Sequence, residues 1–438
     1  MFDVPKYGDG VGLARMAGLL DAIAVDRARL RRASVVVTGS NGKGSTAAFC
    51  ASIAHAYRLR TGLFTSPHLH RFNERFQVDG VPIDDDTLAR LKLRIEAAIA
   101  ELSQRGHEKF GAYEAMFALA CLHFQESSCD FAVFEAGIGG RYDPVRLVGA
   151  LCTCVTSVDY EHVELLGNSL DLIVSDKSDA CAAGGTIVYG ENCRSLRPHI
   201  MEYNRYREIT SLFVRDDITI SNEAVSTTSQ HFDLQFEDCD FRFLETNLLG
   251  AFQINNAAIA VTLFLLWLRR TRPGEAAADI EAAVRSGLRA ARWPGRLEVI
   301  QREPLTLIDV GHTPDGIRQS LANLKAIHGA DDWILVVGIS FDKKADEIIA
   351  LLAPSFDSII CTAAHHKGAS AASIAASVQK ANPDAEVQIA ATIEDAVSIS
   401  QRLAASRKQK IYVAGGLFLA IEYATIAGGG RAQDLDFF

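Results

Sequence analysis

No internal repeat, low-complexity tract or recognisable targeting segment is present in the sequence. The opening residues, Met1-Phe2-Asp3-Val4-Pro5-Lys6, lack a basic region followed by an apolar stretch, so a cytoplasmic location is expected. Long hydrophobic runs are also missing. The greasiest, Ile259 to Leu268, is about half of what a membrane span needs. Asn255 and Asn256 precede it and Arg269 and Arg270 follow, so it reads as a buried helix, and no membrane association is expected. Nine cysteines are scattered without a ladder of paired spacings, and Cys152-x-Cys154 has no second Cys/His pair at zinc spacing. Buried, reduced thiols are the expectation. Basic residues are outnumbered, 44 Lys plus Arg against 54 Asp plus Glu for a net charge of −10, which argues against nonspecific nucleic-acid binding. With 48% hydrophobic and 22% charged residues, wholesale disorder is excluded. A chain of 438 residues exceeds the size at which one core keeps growing, so two domains are expected.

Strand-length apolar runs alternate with Ala-rich stretches of helical period, the pattern of an α/β protein with a mostly parallel sheet. Strands are predicted at Ser34–Val37, Phe131–Glu135, Cys152–Val158, Leu305–Val310, Trp333–Gly338, Ser358–Thr362 and Lys410–Val413. Helices are predicted at Ser45–Ala56, Asp85–Ala100, Tyr113–Gln125, Asn255–Arg269, Ala276–Ala290, Pro314–Ala326, Ala345–Leu352 and Ile393–Ala404. Between about Phe213 and Leu244 the alternation suggests a short meander or hairpin. Pro294 and Gly295, within Trp293-Pro294-Gly295-Arg296, stop the preceding helix and mark a domain break.

The sharpest local signal is Val35-Val36-Val37-Thr38-Gly39-Ser40-Asn41-Gly42-Lys43-Gly44-Ser45-Thr46. A β-branched run feeds a Gly-rich turn, then a lysine, two hydroxyls and an Ala-rich helix. Such a turn aims backbone amides at phosphate oxygens, and the helix N-terminus favours an anion. Lys43 would reach the β- and γ-phosphates, and Ser45 or Thr46 would ligate Mg²⁺. The spacing is shorter than that of most phosphate-binding loops. Glu135 ends the predicted strand Phe131–Glu135, so its carboxylate would emerge at the sheet edge where α/β proteins bind ligands. Gln253 and Asn256 lie three apart on a helix and share a face.

The shortened loop resembles that of the Mur ligase superfamily, specifically its folylpolyglutamate synthase/dihydrofolate synthase branch. The resemblance recurs in order along nearly the whole chain. Thr65-Ser66-Pro67-His68 with Asn73-Glu74-Arg75 is similar to the family's substrate-side loop. Glu135-Ala136-Gly137-Ile138-Gly139-Gly140-Arg141-Tyr142-Asp143 matches its E-x-G-x-G-G-R-x-D. Further matches are Asp159-Tyr160-Glu161-His162 with Leu166-Gly167, Leu249-Gly250 with Gln253 and Asn256, Trp293 to Glu298, Asp309-Val310-Gly311-His312, and Asp342-Lys343. Only 38 residues precede Gly39. That leaves no room for the UDP-sugar-binding domain of the muramyl-peptide ligases, and points to the folate-type branch. The implied fold is α/β with two domains. A P-loop ATPase-like domain with a mostly parallel sheet would span 1–296, and a smaller Rossmann-like α/β domain 297–438.

The resemblance implies an ATP-dependent amide ligase that forms an acyl phosphate and joins it to an amino acid, most directly L-glutamate onto dihydropteroate or a folate. It implies a nucleotide site of Gly39, Asn41, Gly42, Lys43, Gly44, Ser45, Thr46, Gln253, Asn256, Arg296, Asp309 and His312. Lys43, Lys177 and His312 would take part in catalysis. Ser45, Glu135, His162 and Lys177 would hold two Mg²⁺ ions, Lys177 after carbamoylation by CO₂. Ser66, Pro67, His68, Arg75, Glu114, Arg141 and Asp143 would face the substrate. The family's members are commonly monomers, so a monomer is expected. Several positions depart from the pattern: Arg146 for Asn, Glu161 for Asp, Phe252 for His, Thr313 for Asn, and Asp176 with Ser178-Asp179 around Lys177. None removes Lys43, Ser45, Glu135 or His162. Two other readings therefore stay open: a divergent amide ligase with the same ATP chemistry and a non-folate acid, and a non-catalytic nucleotide-binding protein built on the fold.

Overall fold

The computed structural model describes residues 2, 4–5, 8–10, 12–106, 109–341 and 345–437. Asp342 and Lys343 lie outside the described residues. Eight strands build the first sheet: β1 (Ser34–Thr38), β2 (Thr61–Phe64), β3 (Phe76–Val78), β4 (Val81–Pro82), β5 (Phe131–Glu135), β6 (Cys152–Val155), β7 (Thr186–Tyr189) and β8 (Thr210–Phe213). Their spatial order is β4-β3-β2-β5-β1-β6-β7-β8. The six strands from β2 to β8 in that order are parallel, and β3 and β4 add an antiparallel edge. Central β1 is buried at every position, as a parallel strand covered on both faces must be, and Val35-Val36-Val37 supplies apolar surface to each. Val37 pairs with Glu135 on one side and Cys154 on the other. The Gly-rich turn, Glu135 and the turn after β6 therefore leave from one edge.

Helix Ala251–Thr271 contains the apolar run noted in the sequence and extends well beyond it at both ends. By length and composition it is long enough to cross a membrane, but 78% of its apolar window is buried inside the fold. It packs with helix Lys43–Ala56 and with a three-stranded antiparallel meander, β9 (Thr219–Val225), β10 (Gln230–Phe236) and β11 (Cys239–Thr246). Trp267 meets Phe131 edge-on, ring centroids 4.6 Å apart, which fastens this helix to β5.

A second sheet begins just after Trp293-Pro294-Gly295-Arg296. Its strands are β12 (Glu298–Arg302), β13 (Leu305–Ile308), β14 (Trp333–Val337), β15 (Ser358–Cys361), β16 (Glu386–Ile389) and β17 (Lys410–Ala414), ordered β12-β13-β17-β14-β15-β16. Only β12 pairs antiparallel. All nine cysteines are free thiols, eight of them buried, and burial pushes Cys129 up to about 12.

All seven predicted strands exist, several ending a residue or more early: Cys152–Val158 stops at Val155, where the chain turns to build the site. The strands not predicted are mostly short or at edges, such as β8 and the partly exposed β16; four residues carry no readable period.

Gly287 marks a close helix contact. A Cβ there would lie 2.5 Å from Ile53 Cα, and its carbonyl accepts the Ser52 hydroxyl at 2.7 Å. Gly287→Ala must push helices Ala277–Ala290 and Lys43–Ala56 apart, and is expected to destabilise the protein by about 1–3 kcal/mol. Urea unfolding reads this as a lower midpoint at unchanged m-value; an unshifted midpoint would mean the two helices are not held at this spacing.

Candidate active site

The turn from β1 into helix Lys43–Ala56 is held from below by the turn after β6. Ser40 N–H donates to the Ser157 carbonyl at 2.9 Å, and Asn41 N–H to Ser157 Oγ at 2.8 Å. Thr156 and Ser157 hydroxyls donate back to the Asn41 carbonyl at 2.6 and 3.0 Å. Gly44 permits a close approach: a Cβ there would meet the Trp293 ring at 2.2 Å. Lys43 is folded over its own loop, its Nζ donating to the Gly39 and Ser40 carbonyls at 2.8 and 3.1 Å. Ser45 is buried and accepts from Gln253 Nε2 at 3.2 Å, while Asn256 donates to Gln253 Oε1 at 3.1 Å. Thr46 Oγ1 is buried without a hydrogen-bond partner.

Two carboxylates and a second lysine gather around Lys43. Burial pushes Glu135 up to about 7, opposed by Lys43, the Ser66 amide, Arg296 and Arg75; Ser66 N–H donates to its Oε2 at 2.7 Å. Lys177 is fully buried and donates to Glu161 Oε1 at 2.6 Å. Against the opposing effect of burial, Lys43 and Lys177 hold Glu161 down to about 2. Burial, with Lys43 adding to it and Glu161 resisting, lowers the Lys177 pKa. His162 follows Glu161 in the left-handed backbone region, φ 44°, a conformation that a non-glycine residue adopts at a cost. Among the described residues, no three His, Cys, Asp or Glu side chains converge as a metal cage.

The predicted substrate loop is tied on two sides. His68 Nδ1 accepts from Arg75 Nε at 2.8 Å, and its other ring nitrogen meets the Asp436 carbonyl. Asp436 N–H also donates to the His70 carbonyl at 3.1 Å, so the segment after residue 432 braces this loop. Burial lowers the pKa of Arg75 to about 10.

From the second sheet, Arg296 faces this edge, where its charge acts on both Glu135 and Asp309. Asp309 is fully buried and accepts the Leu297 and Gly311 amides at 3.1 and 2.8 Å, one on each oxygen. His312 is exposed, with Nδ1 3.3 Å from the Val310 carbonyl. Thr313 caps helix Pro314–His328 and reaches Asn41 Oδ1 at 3.4 Å, and Asn41 Nδ2 reaches Asp315 at 3.4 Å. The Gly-rich loop thus already touches the second sheet's first helix.

Not every expected residue presents a free side chain here. Glu114 is ion-paired with buried Arg15 at 3.0 Å and accepts the Gly111 amide. Arg141 is held by Asp179 at 2.6 Å and by Tyr203. Asp143 accepts the amides of Gly137, Ile138 and Val145; burial pushes it up to about 6. Asp309 is likewise occupied. All four organise the turns around the site. Sequence reasoning missed the braces Thr156, Ser157 and Asp436. It also missed Tyr113, whose hydroxyl donates to the Glu135 carbonyl at 3.0 Å; no local signal in the sequence marks it.

Residues 295–417 match the family model "Mur ligase, glutamate ligase domain". A nucleotide-type loop joined to that domain defines the class: a Mur-type ligase. The chain is 32% identical over 321 residues to the dihydrofolate synthase/folylpolyglutamate synthase of Bacillus subtilis (strain 168), covering 73% of each chain. It is 31% identical over 328 residues to the folylpolyglutamate synthase of Lacticaseibacillus casei, covering 74% of each. A solved FPGS–AMPPCP–folate complex superimposes with a TM-score of 0.82 at 26% identity, over 96% of this chain and 95% of that one. The chain belongs to the folylpolyglutamate synthase/dihydrofolate synthase family.

The buried carboxylate at position 135 opposes stability above its own pKa. Its folded pKa of about 7 exceeds the ordinary 4.5, so the folded state binds the proton more tightly. Stability from this group falls as pH rises between those values and stays low above them. Glu135→Gln is therefore expected to stabilise the ligand-free protein at pH 8, by up to ~3 kcal/mol, and much less at pH 5. Urea unfolding at the two pH values checks this; equal effects at both would contradict the buried-charge assignment.

Proposed function

We propose that the chain is an ATP-dependent acid–amino-acid ligase that activates a carboxylate as an acyl phosphate and joins it to the amine of L-glutamate, with dihydropteroate, a folate or both as the acid. The observation that carries this reading is the convergence of the phosphate loop, Glu135 and the Glu161–Lys177 pair on one sheet edge, with Arg296 facing them from the second sheet. Family membership supports it, as do the names of the relatives and the AMPPCP and folate in the solved complex. The two domains are taken as 1–296 and 297–438, hinged at the Pro294-Gly295 turn.

Lys43 would leave the Gly39 and Ser40 carbonyls for the β- and γ-phosphates, while the amides of Asn41 to Thr46 cradle them. Arg296 would meet the phosphates from the other side, and among the described residues it donates no hydrogen bond that would have to be broken. Gln253 and Asn256 would order Ser45, and Asp309 would hold the turn that aims Arg296. His312 is assigned to the phosphate side of the cleft. The substrate carboxylate attacks the γ-phosphorus; an acyl C–O–P bond forms as the bond to ADP breaks. The glutamate amine then attacks the acyl carbon, phosphate leaves, and the amine gives up a proton. Positioning and charge neutralisation suffice for this chemistry, so no protein nucleophile is needed.

The residues present fit Mg²⁺, which keeps several waters and binds through one or two carboxylates plus substrate phosphates. Ser45 and Glu135 would hold one ion, and His162, in its strained backbone, would add a ligand. Bound magnesium supplies charge neutralisation between the two anionic reactants. Lys177 would hold a second ion as a carbamate: its uncharged amine adds CO₂ and releases a proton, and burial beside Lys43 favours the uncharged amine. The resulting anion next to Glu161 would itself call for a cation. Ser66, Pro67, His68 and Arg75 would form the acid's side of the site, fixed by Glu114, Arg141 and Asp143.

The test is ADP release with MgATP and glutamate, adding dihydropteroate or tetrahydrofolate in turn, with products weighed. A product heavier by one glutamyl unit is expected, and Lys43→Ala should lower kcat by at least ~10²-fold. Equal ADP release by Lys43→Ala would overturn the site. No acid-dependent release with either pterin, from protein that binds ATP, would move the reading to a non-folate acid, with Arg146, Phe252 and Thr313 the first positions to examine. Labelling with ¹³C-bicarbonate is expected to give a carbamate signal that Lys177→Ala removes.

A further inference from the structure

At the N-terminal edge of the first sheet, opposite the phosphate loop, lies a cleft of about 540 Å³. Its walls are the entries to β1, β5 and β6 and the C-terminal ends of helices Arg27–Ala33 and Ala251–Thr271. Trp267 Nε1–H donates to the Arg32 carbonyl at 2.9 Å and ties the two helix ends together. Five arginines line the cleft: Arg29, Arg31, Arg32, Arg270 and Arg272. In a chain of net charge −10 this concentration runs against the general balance.

The structure leaves most of that charge unmatched. Among the described residues, the guanidinium groups of Arg29, Arg31 and Arg32 make no ion pair or hydrogen bond. Arg270 donates to the Gly184 carbonyl and Thr186 Oγ1 at 3.3 and 3.4 Å, both neutral acceptors. The one acid on the wall, Asp130, accepts the Arg60 amide at 3.0 Å, and its other oxygen is 3.9 Å from Arg272. Each helix C-terminus carries about half a negative charge, so roughly three positive charges remain once Asp130 and both helix ends are counted. A second observation points to a ligand independently. Ser34, also on this wall, is 1% exposed, and its hydroxyl has no hydrogen-bond partner.

We propose that this cleft is a second ligand site, separate from the phosphate loop, for a small polyanion bearing phosphate groups. Several guanidinium forks and a hydroxyl around one cavity call for a ligand with many acceptor oxygens on adjacent centres, which phosphate provides. The volume suits a ligand of nucleotide size. The acidic remainder of the surface disfavours a long polyanion that would run out of the cleft.

Calorimetry on the full chain, with the phosphate loop filled by one equivalent of magnesium–AMPPCP, tests this with inorganic tripolyphosphate as probe. One further site is expected, its affinity falling with added salt. It should weaken at least tenfold in Arg29→Ala/Arg32→Ala, with AMPPCP binding retained as proof of folding. Arg272→Ala, at an exposed helix end, is the second variant and should weaken it as well. Absence of binding beyond the filled phosphate loop, or affinity unchanged in both variants, would overturn the proposal. A tri-glutamate peptide binding as tightly as tripolyphosphate would overturn the phosphate assignment.

Discussion

Lys43 is the charge on which the site depends. It acts on Glu135 and on Glu161, which arrive by different routes. Glu135 is carried in by the register of β5 against β1, and Glu161 by the turn after β6. Lys177, unlike the half-buried Lys43, is fully buried, and Glu161 2.6 Å away resists the loss of its proton that burial favours. The four groups balance one another without ligand, at the expense of a lysine folded back on its own loop and a carboxylate held near neutrality. Both are states that a bound phosphate and cation would relieve, so the ligand-free fold already holds its charges at the places where new charge would enter.

That arrangement follows from sheet geometry. Parallel strands give all their outgoing turns to one edge, so the Gly-rich loop, Glu135 and the Thr156-Ser157 turn meet without any long-range device. The second sheet reaches the same edge through the Trp293-Pro294-Gly295-Arg296 turn. Trp293 lies on Gly44 so closely that no side chain fits. Asp309 serves this geometry by spending both oxygens on backbone amides. Arg296 is thereby held in a half-buried position where it acts on groups from both sheets.

How much of this was legible in the sequence depended on how local the signal was. The loop from Gly39 to Thr46 announces itself because strand, glycines, lysine and helix are consecutive. Glu135 was legible because it caps an apolar run. The Pro-Gly turn between the sheets was legible for its backbone chemistry. What the sequence could not separate is a polar residue that touches a ligand from one that holds a turn. Glu114, Asp143 and Asp309 have the composition of binding residues, yet their oxygens are occupied by Arg15 or by backbone amides. The pairing of Glu161 with Lys177, and of His68 with the Asp436 carbonyl, joins positions 16 and 368 residues apart. No short-range pattern encodes either contact.

The polarity that builds the edge of the candidate site also shapes the opposite one. Where helices point their N-termini at the outgoing turns, their C-termini must return to the strand entries, and basic residues there offset the exposed carbonyls. Arg31, Arg32 and Arg270 sit in such last turns. Offsetting two helix ends needs about one positive charge in all, and five arginines line the space with a single carboxylate facing them. Helix capping therefore accounts for their position but not for their number. The excess makes the strand-entry edge, like the loop edge, a place where the fold favours bound negative charge.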